Sequence, residues 1–447
     1  MNAPLVILAY PKVDHEKNYV YFWMPFSLLA IARSLQDAGD CEVVIFDGNQ
    51  SSPDQWEKLL DDELSRAICI GVSVMTGGGQ IRHALELVEA AKRRPGCPPV
   101  MFGGPHVNVL GPQTVAHPMV DGVLMGPGQA SMPPFVQALL GKTSFAAVPG
   151  LMLKEPTRLI SGPVNPPKTQ QLGKYPWELL DVERYIRDDP TIASRTLNYV
   201  SSQGCIYKCR FCYELTYQRK YSSLNATDLL HDVIGLVTRF GINGVKFYDA
   251  DWFVDRVRSL GFAQGIIDSG LNLRWAASIN PNDILKARGT GQPLLELAAR
   301  SGCSRLLMGV ESGSDRVLEQ IVQKEVTREK ILSVAAQIAS LGILGSYTFI
   351  IGFPGETEDE MNETLSLIEE LWTLSPMPET RVHIFAPYPG TPLFDTALKH
   401  GFSPPQSLEE WSAYDYYRAQ TPWVKPEINE IARRYTRMVL RPEPTVA

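Results

Sequence analysis

Short aliphatic runs and longer amphipathic stretches take turns along the first third of this chain. The runs are Leu5–Tyr10, Cys41–Asp47, Ala67–Met75, Pro99–Gly103 and Asp121–Met125. Stretches with an apolar residue every three to four positions lie at Pro25–Ala38, Asp54–Arg66, Gln80–Arg94 and Ser131–Leu140. Pro25 stands where a helix opens and Gly39 where one closes. Runs that are apolar throughout, separated by helices, predict a parallel sheet covered on both faces. Residues 1–148 therefore read as a doubly wound, Rossmann-like domain, which binds ligands at the carboxyl ends of its strands.

Gly150–Ser161 reads as a hairpin and Gly162–Pro176 as a proline-rich linker, so residues 149–190 connect two domains. Alternation then resumes. Strand-like runs are Leu197–Ser201, Gly244–Asp249, Leu273–Ile279, Arg305–Val310, Gly345–Ile351 and Thr380–Phe385. Helical patterns between them are Ala226–Phe240, Val254–Ser269, Pro293–Arg300, Thr327–Ser340 and Glu356–Leu374. Over residues 191–390 this predicts a partial (β/α)6 barrel, with chemistry at the carboxyl ends of its strands. Residues 391–447 read as a short helical C-terminal region. The fold class is thus α/β throughout.

Composition narrows the function. A net charge of −7 argues against a general nucleic-acid binder. No apolar run reaches the ~18 residues of a membrane helix. The N-terminal run has no basic region before it and stops at Pro11-Lys12, so it reads as a strand and not a signal peptide. Seven cysteines are too few, and odd in number, for a disulfide framework. Cys41, Cys69, Cys97 and Cys303 stand singly in apolar surroundings and read as small buried hydrophobes of a reducing cytoplasm.

The other three cysteines are grouped. After the first barrel strand comes Ser202-Gln-Gly-Cys205-Ile-Tyr207-Lys-Cys209-Arg-Phe211-Cys212. Three thiolates on one tight loop can hold three corners of a [4Fe–4S] cluster. No fourth cysteine follows nearby, which leaves one iron open to chelate a substrate or cofactor. Structural zinc prefers four protein ligands in paired knuckles, and no second knuckle is present.

This spacing, on the loop after strand one of an α/β barrel, resembles the radical SAM superfamily. The resemblance implies that the open iron binds S-adenosylmethionine, which is cleaved to a 5′-deoxyadenosyl radical. It implies contacts to that cofactor from Tyr207 and Phe211, from Asp249 and Asp251 after the second strand, from Ser278 and Asn280 after the third, and from Glu311 and Ser312 after the fourth. Gly352-Phe-Pro-Gly-Glu356 and Phe385-Ala-Pro-Tyr-Pro-Gly390 end the fifth and sixth strands and resemble the turns of one branch of that family.

That branch carries an N-terminal cobalamin-binding domain, and the first domain resembles it at successive strand ends. The resemblance assigns cobalamin contacts to Asp47, Ser73, Met75, Thr76, Gly77, Gln80, Gly103, Gly104, His106, Gly126 and Gly128. Two departures stand out. The Asp-x-His-x-x-Gly pattern that supplies a histidine ligand to cobalt is absent, and Gly126-Pro-Gly128-Gln129 lacks the acids usual in that turn. The loop Thr76–Gln80 is then expected to face the lower side of the ring. His83 reads as a surface residue. The aromatic segment Asp14–Met24 reads as core packing or as the lining of a cavity between the domains, and Trp411–Arg418 as a lid packed on the barrel.

Together these readings point to a cobalamin-dependent radical SAM C-methyltransferase. It would act on an unactivated carbon of a small-molecule substrate, with an external one-electron reductant of flavodoxin or ferredoxin type. No nucleic-acid or membrane partner is expected. Ring closure, ring contraction or rearrangement by the same architecture, and a radical SAM enzyme whose first domain is empty, remain open.

Overall fold

The structure is a computed structural model that describes residues 3–13, 23–163, 172–217, 221–286, 294–375, 378–414 and 421–438. The segment expected at Asp14–Met24 lies largely outside these residues. The chain divides into two compact units.

The first unit spans Met1–Arg184 and takes in Thr216–Gln218, at the end of a short helix of the second unit, and Ser403–Asp415. Its elements are β1 (Leu5–Tyr10), α1 (Phe26–Ala38), β2 (Glu42–Asp47), α2 (Pro53–Glu63), β3 (Ala67–Ser73), α3 (Gly79–Lys92), β4 (Val100–Gly103), α4 (Pro105–Ala116), β5 (Gly122–Leu124), α5 (Gly128–Leu139), β6 (Leu151–Lys154) and β7 (Leu159–Ser161). The strand order is β2-β1-β3-β4-β5-β6-β7. β1 to β5 pair in parallel, as an all-apolar run requires, and β6 and β7 add antiparallel at the edge. The hairpin expected between the domains is thus an extension of this sheet, with Leu151 and Leu153 in the core. Helices start and stop where local chemistry dictates. Ser52 makes a capping box with Gln55 at the head of α2, and Gly39 closes α1 in the left-handed conformation.

Helix α4 was not expected from the sequence. Its backbone breaks at Leu110, and it contains Gly111 and Pro112, which read as a turn. The glycine answers to packing instead: a Cβ there would lie 2.7 Å from Met125 Sδ.

The second unit covers Tyr185–Leu215, Arg219–Phe402 and Tyr416–Ala447. Its elements are β8 (Thr196–Tyr199), β9 (Ser202–Gln203), α6 (Glu214–Tyr217), β10 (Ser222–Ser223), α7 (Ala226–Phe240), β11 (Gly244–Phe247), α8 (Arg256–Ser269), β12 (Arg274–Ile279), α9 (Pro281–Lys286), α10 (Leu294–Arg300), β13 (Cys303–Glu311), α11 (Arg328–Ser340), β14 (Leu344–Ile351), α12 (Glu358–Leu374), β15 (Glu379–Ile384), α13 (Pro392–Lys399) and α15 (Glu427–Arg434). Helix α14 (Leu408–Ser412) belongs to the first unit, so the C-terminal region is shared between the two. Six strands pair in parallel in sequence order, β8-β11-β12-β13-β14-β15. This is the partial barrel expected.

Strand β11 shows how the sequence sets its two faces. Val245 and Phe247 are fully buried, and Phe247 packs edge-on against Phe262 of α8 and close to Trp252. Removing a buried ring of this size costs about 3–5 kcal/mol. Lys246 and Tyr248 alternate with them and so take the opposite, concave face. Between β13 and α11 the chain makes a turn of π-helix at Val317–Val322, followed by Gln323 and Glu325 at positive φ.

Candidate active site and cofactor sites

The loop after β8 holds the three grouped cysteines. Cys209 is buried, and Cys205 and Cys212 are partly so; all three are free thiols. The loop is pinned from both sides: Cys212 N–H donates to the Cys209 carbonyl at 3.0 Å, and Arg210 N–H donates to the Val322 carbonyl at 2.8 Å. Each thiol lies within electrostatic reach of another. Burial pushes the Cys205 thiol up to about 11 and the Cys212 thiol up to about 12. Among the described residues, no three Cys, His, Asp or Glu side chains converge tightly enough to grip one metal ion. Three thiols on one loop, with no fourth cysteine beside them, suit a multi-iron cluster better than a structural zinc site.

Carboxylates gather beside this loop. Asp251 is buried, and its Oδ2 has no hydrogen-bond partner. Its carboxyl sits well above the usual range, first because it is buried and then because Asp283 faces it. Asp283 Oδ1 accepts the Tyr207 hydroxyl at 2.8 Å, and its Oδ2 is also without a partner. Two carboxyls this close share a proton unless a cation arrives. Asp283 was missed in the sequence because nothing in Pro281–Lys286 marks it; only the fold brings it to Asp251.

Asp249 behaves differently from its neighbour. It accepts from Ser201 N–H at 2.8 Å, Ser201 Oγ at 2.7 Å and Ser202 N–H at 3.1 Å, and it pairs with the buried Arg258 at 2.7 Å. Its oxygens are therefore committed to holding the start of the cysteine loop. Ser312 is likewise enclosed, with its hydroxyl on Thr364 at 3.1 Å and on Ser314 N–H at 3.1 Å. Asn280 is buried and accepts from Asn282 N–H at 3.0 Å, and the Ser278 carbonyl accepts from Trp252 N–H at 2.9 Å. The Phe211 ring lies tilted, 6.0 Å from that of Phe353, which in turn meets Phe385 at 5.2 Å. Glu311 occupies the left-handed region at φ 67° and is buried against Lys324 at 2.5 Å. Strained backbone and a π-turn around one buried ion pair mark a functional region.

In the first unit the strand ends of β1 to β5 form a second crown. Gln80 ties two of its loops together: its Oε1 accepts from Met75 N–H at 2.7 Å, and its Nε2 donates to the Pro11 carbonyl at 3.0 Å. Asp47 Oδ1 accepts from the backbone and side chain of Asn49, both at 2.8 Å. Ser73 and Thr76 are nearly buried, while Met75 between them is exposed. Gly104 sits at φ 92°, and a Cβ there would lie 2.7 Å from the Val74 carbonyl. Gly103 has more room, its nearest neighbour being the Leu124 carbonyl at 3.7 Å. Gly126 turns at φ 88° and donates to Asn108 Oδ1 at 2.5 Å, and Gly128 opens α5 against Ile31.

His106 is fully buried, and neither ring nitrogen has a hydrogen-bond partner; Thr76 Oγ1 is in the same state. Burial draws the imidazole down to about 4, so it is neutral. Orphaned buried polar atoms at a strand-end crown fit a site that receives a polar ligand. His83 corrects the sequence reading: it is buried, and its Nδ1 accepts from Lys12 N–H at 2.7 Å.

Sequence reasoning also missed the partner of the Thr76–Gln80 loop. Gly78 N–H donates to the Trp411 carbonyl at 3.0 Å, and Trp411 Nε1 donates to Gln113 Oε1 at 2.9 Å. The Trp411 ring meets His106 edge-on at 5.8 Å. A Cβ on Gly77, at φ 80°, would lie 2.2 Å from the Tyr414 carbonyl. The Trp411 segment, expected as a lid on the barrel, thus packs on the Thr76–Gln80 loop of the first unit instead.

Comparison with known proteins matches both domains to known families. The family model of the Radical SAM superfamily matches residues 199–368, and that of the B12 binding domain matches residues 17–136. An uncharacterized methyltransferase of Pyrococcus horikoshii is 24% identical over 350 residues, covering 77% of this chain and 73% of that protein. An anaerobic magnesium-protoporphyrin IX monomethyl ester cyclase of Rubrivivax gelatinosus is 23% identical over 78% of this chain, which spans 62% of the cyclase. Among solved structures, the radical S-adenosylmethionine methyltransferase TsrM of Kitasatospora setae superposes with a TM-score of 0.70 at 17% identity, over 89% of this chain and 76% of TsrM. The cobalamin-dependent radical enzyme OxsB gives 0.67 at 18% identity, over 82% of this chain and 52% of OxsB. These two share the fold.

Proposed function

Because this chain belongs to the radical SAM enzymes that carry an N-terminal B12-binding domain, we propose that it is a cobalamin-dependent methyltransferase acting on an unactivated carbon of a small molecule. The observation that carries this reading is the pairing of two strand-end crowns in one chain. One presents Cys205, Cys209 and Cys212 on a pinned loop, and the other presents a neutral, unpartnered His106. A methyltransferase relative and the TsrM fold support methyl transfer.

When bound, the [4Fe–4S] cluster with S-adenosylmethionine supplies a hydrogen-abstracting radical, and cobalamin supplies a methyl carrier. Cys205, Cys209 and Cys212 hold the cluster. Asp251, with Asp283 behind it, offers a carboxylate to an ammonium group, and a cation there removes the repulsion between the two acids. Tyr207 fixes the Asp283 carboxyl. Phe211, Glu311, Asn280 and Ser278, at or after the neighbouring strand ends, would contribute further contacts to S-adenosylmethionine. In the first unit Ser73, Thr76, His106 and the turn glycines Gly104 and Gly126 form the cobalamin cradle, with Gln80 and Asp47 holding its loops in place. Neutral His106 donates or accepts one hydrogen bond without adding charge. A flavodoxin- or ferredoxin-type protein in the cytoplasm supplies the electron. Among the described residues no helix is long and apolar enough to cross a membrane.

The cyclase relatives favour a second reading, radical ring closure without methyl transfer. Reduced, reconstituted protein incubated with S-adenosylmethionine carrying a trideuterated methyl group separates the two. Transfer of the deuterated methyl to a protein-bound acceptor supports the methyltransferase. Formation of 5′-deoxyadenosine with no methyl transfer supports the cyclase-type reading.

A further inference from the structure

The concave face of the barrel carries charge that neither cofactor site uses. Lys246 on β11 projects to this face, opposite the buried Phe247. Its ammonium lies over the Tyr248 ring at 5.0 Å and has no carboxylate within ion-pairing distance among the described residues. It feels Arg305 from β13, Arg187 and the opposing charge of Asp189 from the segment before β8, and Arg381 from β15. Side chains from alternate strands meet in this way only inside a barrel.

Two of the arginines are already matched. Arg305 pairs with Glu379 at 2.7 Å, and Arg187 stands 3.6 Å from Asp189. Lys246 and Arg381 have no carboxylate partner among the described residues; Arg381 donates to the Met438 sulfur at 2.9 Å. Burial and the neighbouring cations hold the Lys246 ammonium well below its usual range, and burial with Arg381 keeps His383 low. Such a cluster is unfavourable until an anion enters it.

Arg381 also borders a cavity of about 1010 Å³ that reaches Cys212. Its walls are mainly apolar and aromatic, including Phe211, Ile350, Phe385 and Tyr388. A cavity of this kind fits a small molecule with a flat apolar body.

We propose that the substrate is an apolar or aromatic anion whose carboxylate or phosphonate is held by Lys246 and Arg381 while its body lies along this cavity towards the cysteine loop. The proposal rests on the reading of the chain as a radical enzyme with a small-molecule substrate. Lys246 on β11 and Arg381 at the cavity wall on β15 give the charge, and the cavity gives the shape. A bidentate Arg381 contact and a point-charge contact from Lys246 both suit an oxyanion.

The test is isothermal titration of the cluster- and cobalamin-loaded protein with phenylacetate, phenylphosphonate and the uncharged phenylacetamide. At least one anion is expected to bind tenfold or more tightly than the amide, and the order of the two anions tells carboxylate from phosphonate. Lys246→Met and Arg381→Met are each expected to lose tenfold or more of anion affinity, with iron content unchanged. Equal affinity for the anions and the amide on the unaltered protein would overturn the proposal, as would absence of anion binding at millimolar concentration. Unchanged anion affinity in both variants would do the same. Failure of the parent reading shows separately, as protein that takes up neither iron nor cobalt.

Discussion

Lys324 Nζ lies 2.5 Å from Glu311 Oε1, with both side chains buried and the glutamate held at φ 67°. Gly309 makes room for the pair, since a Cβ there would lie 2.5 Å from the same Oε1. The lysine also feels the thiols of Cys209 and Cys212. It is thus a buried cation acting on two of the three cluster-loop thiols. Removing one member of a buried pair leaves the other charge uncompensated, at a cost of about 3–5 kcal/mol. Lys324→Met is expected to lower stability by that amount, and the double variant Glu311→Gln/Lys324→Met to recover most of it. Chemical denaturation of the two proteins checks this; a single variant as stable as the parent would contradict the pairing. The same substitution is expected to make the reconstituted cluster harder to reduce, because a positive charge beside it is lost.

Asp251 and Asp283 repel each other when both are ionised. A buried acid with a raised pKa contributes stability below its unfolded pKa, and that contribution is lost as pH rises through the folded value. Asp251→Asn is therefore expected to gain stability relative to the parent as pH rises from 3.8 to about 8. It is also expected to bind S-adenosylmethionine about tenfold or more weakly, since a charge-assisted hydrogen bond is worth about 1.5–3 kcal/mol. Unaltered cofactor affinity would remove Asp251 from the binding site.

Glu356 closes the turn after β14. Its Oε2 accepts from Gly352 N–H at 2.6 Å and Phe353 N–H at 3.0 Å. Burial nevertheless raises its carboxyl from 4.5 to about 7. The folded state then holds the proton more tightly than the unfolded chain. This group's contribution is complete below pH 4.5 and is lost as pH climbs to about 7. Glu360 acts in the opposite sense and in a different window. Arg316 draws it down to about 2, so its contribution is lost as pH falls from 4.5 towards 2. Glu356→Gln is expected to flatten the stability profile between pH 4.5 and 7 only. A profile unchanged in that window would show that the carboxyl stays ionised.

Gly77 is the point where the C-terminal segment closes on the first unit. Any side chain there would meet the Tyr414 carbonyl and would also strain a left-handed backbone. Gly77→Ala is expected to cost about 1–3 kcal/mol and to raise hydrogen exchange at 403–414. Unchanged exchange in that segment would show that the contact is not what holds it.

Much of this was legible in the sequence. The aliphatic runs placed the parallel strands of both sheets because buried strands are apolar on both faces, and Cys205, Cys209 and Cys212 announced themselves by spacing. What escaped has a common cause. Helix α4 was masked because Gly111 answers to Met125 and not to local conformation. His83 was misread because its partner, the Lys12 backbone, is distant in sequence. Asp283, Lys324 and Trp411 matter through contacts that only folding creates. Asp249 and Asp251 stand two residues apart with the same chemistry, yet one is bound to Arg258 and the other has an oxygen left open. Sequence cannot separate them, because burial and partners decide it.

The central claim is that one chain holds both an iron–sulfur cluster and cobalamin. Anaerobic reconstitution with iron, sulfide and hydroxocobalamin, followed by metal analysis of the parent and of Cys209→Ala, tests it most directly. The expected result is about four irons and about one cobalt per chain for the parent, with iron lost and cobalt retained in the variant. Full iron in Cys209→Ala, or a parent protein that takes up no cobalt, would contradict the account.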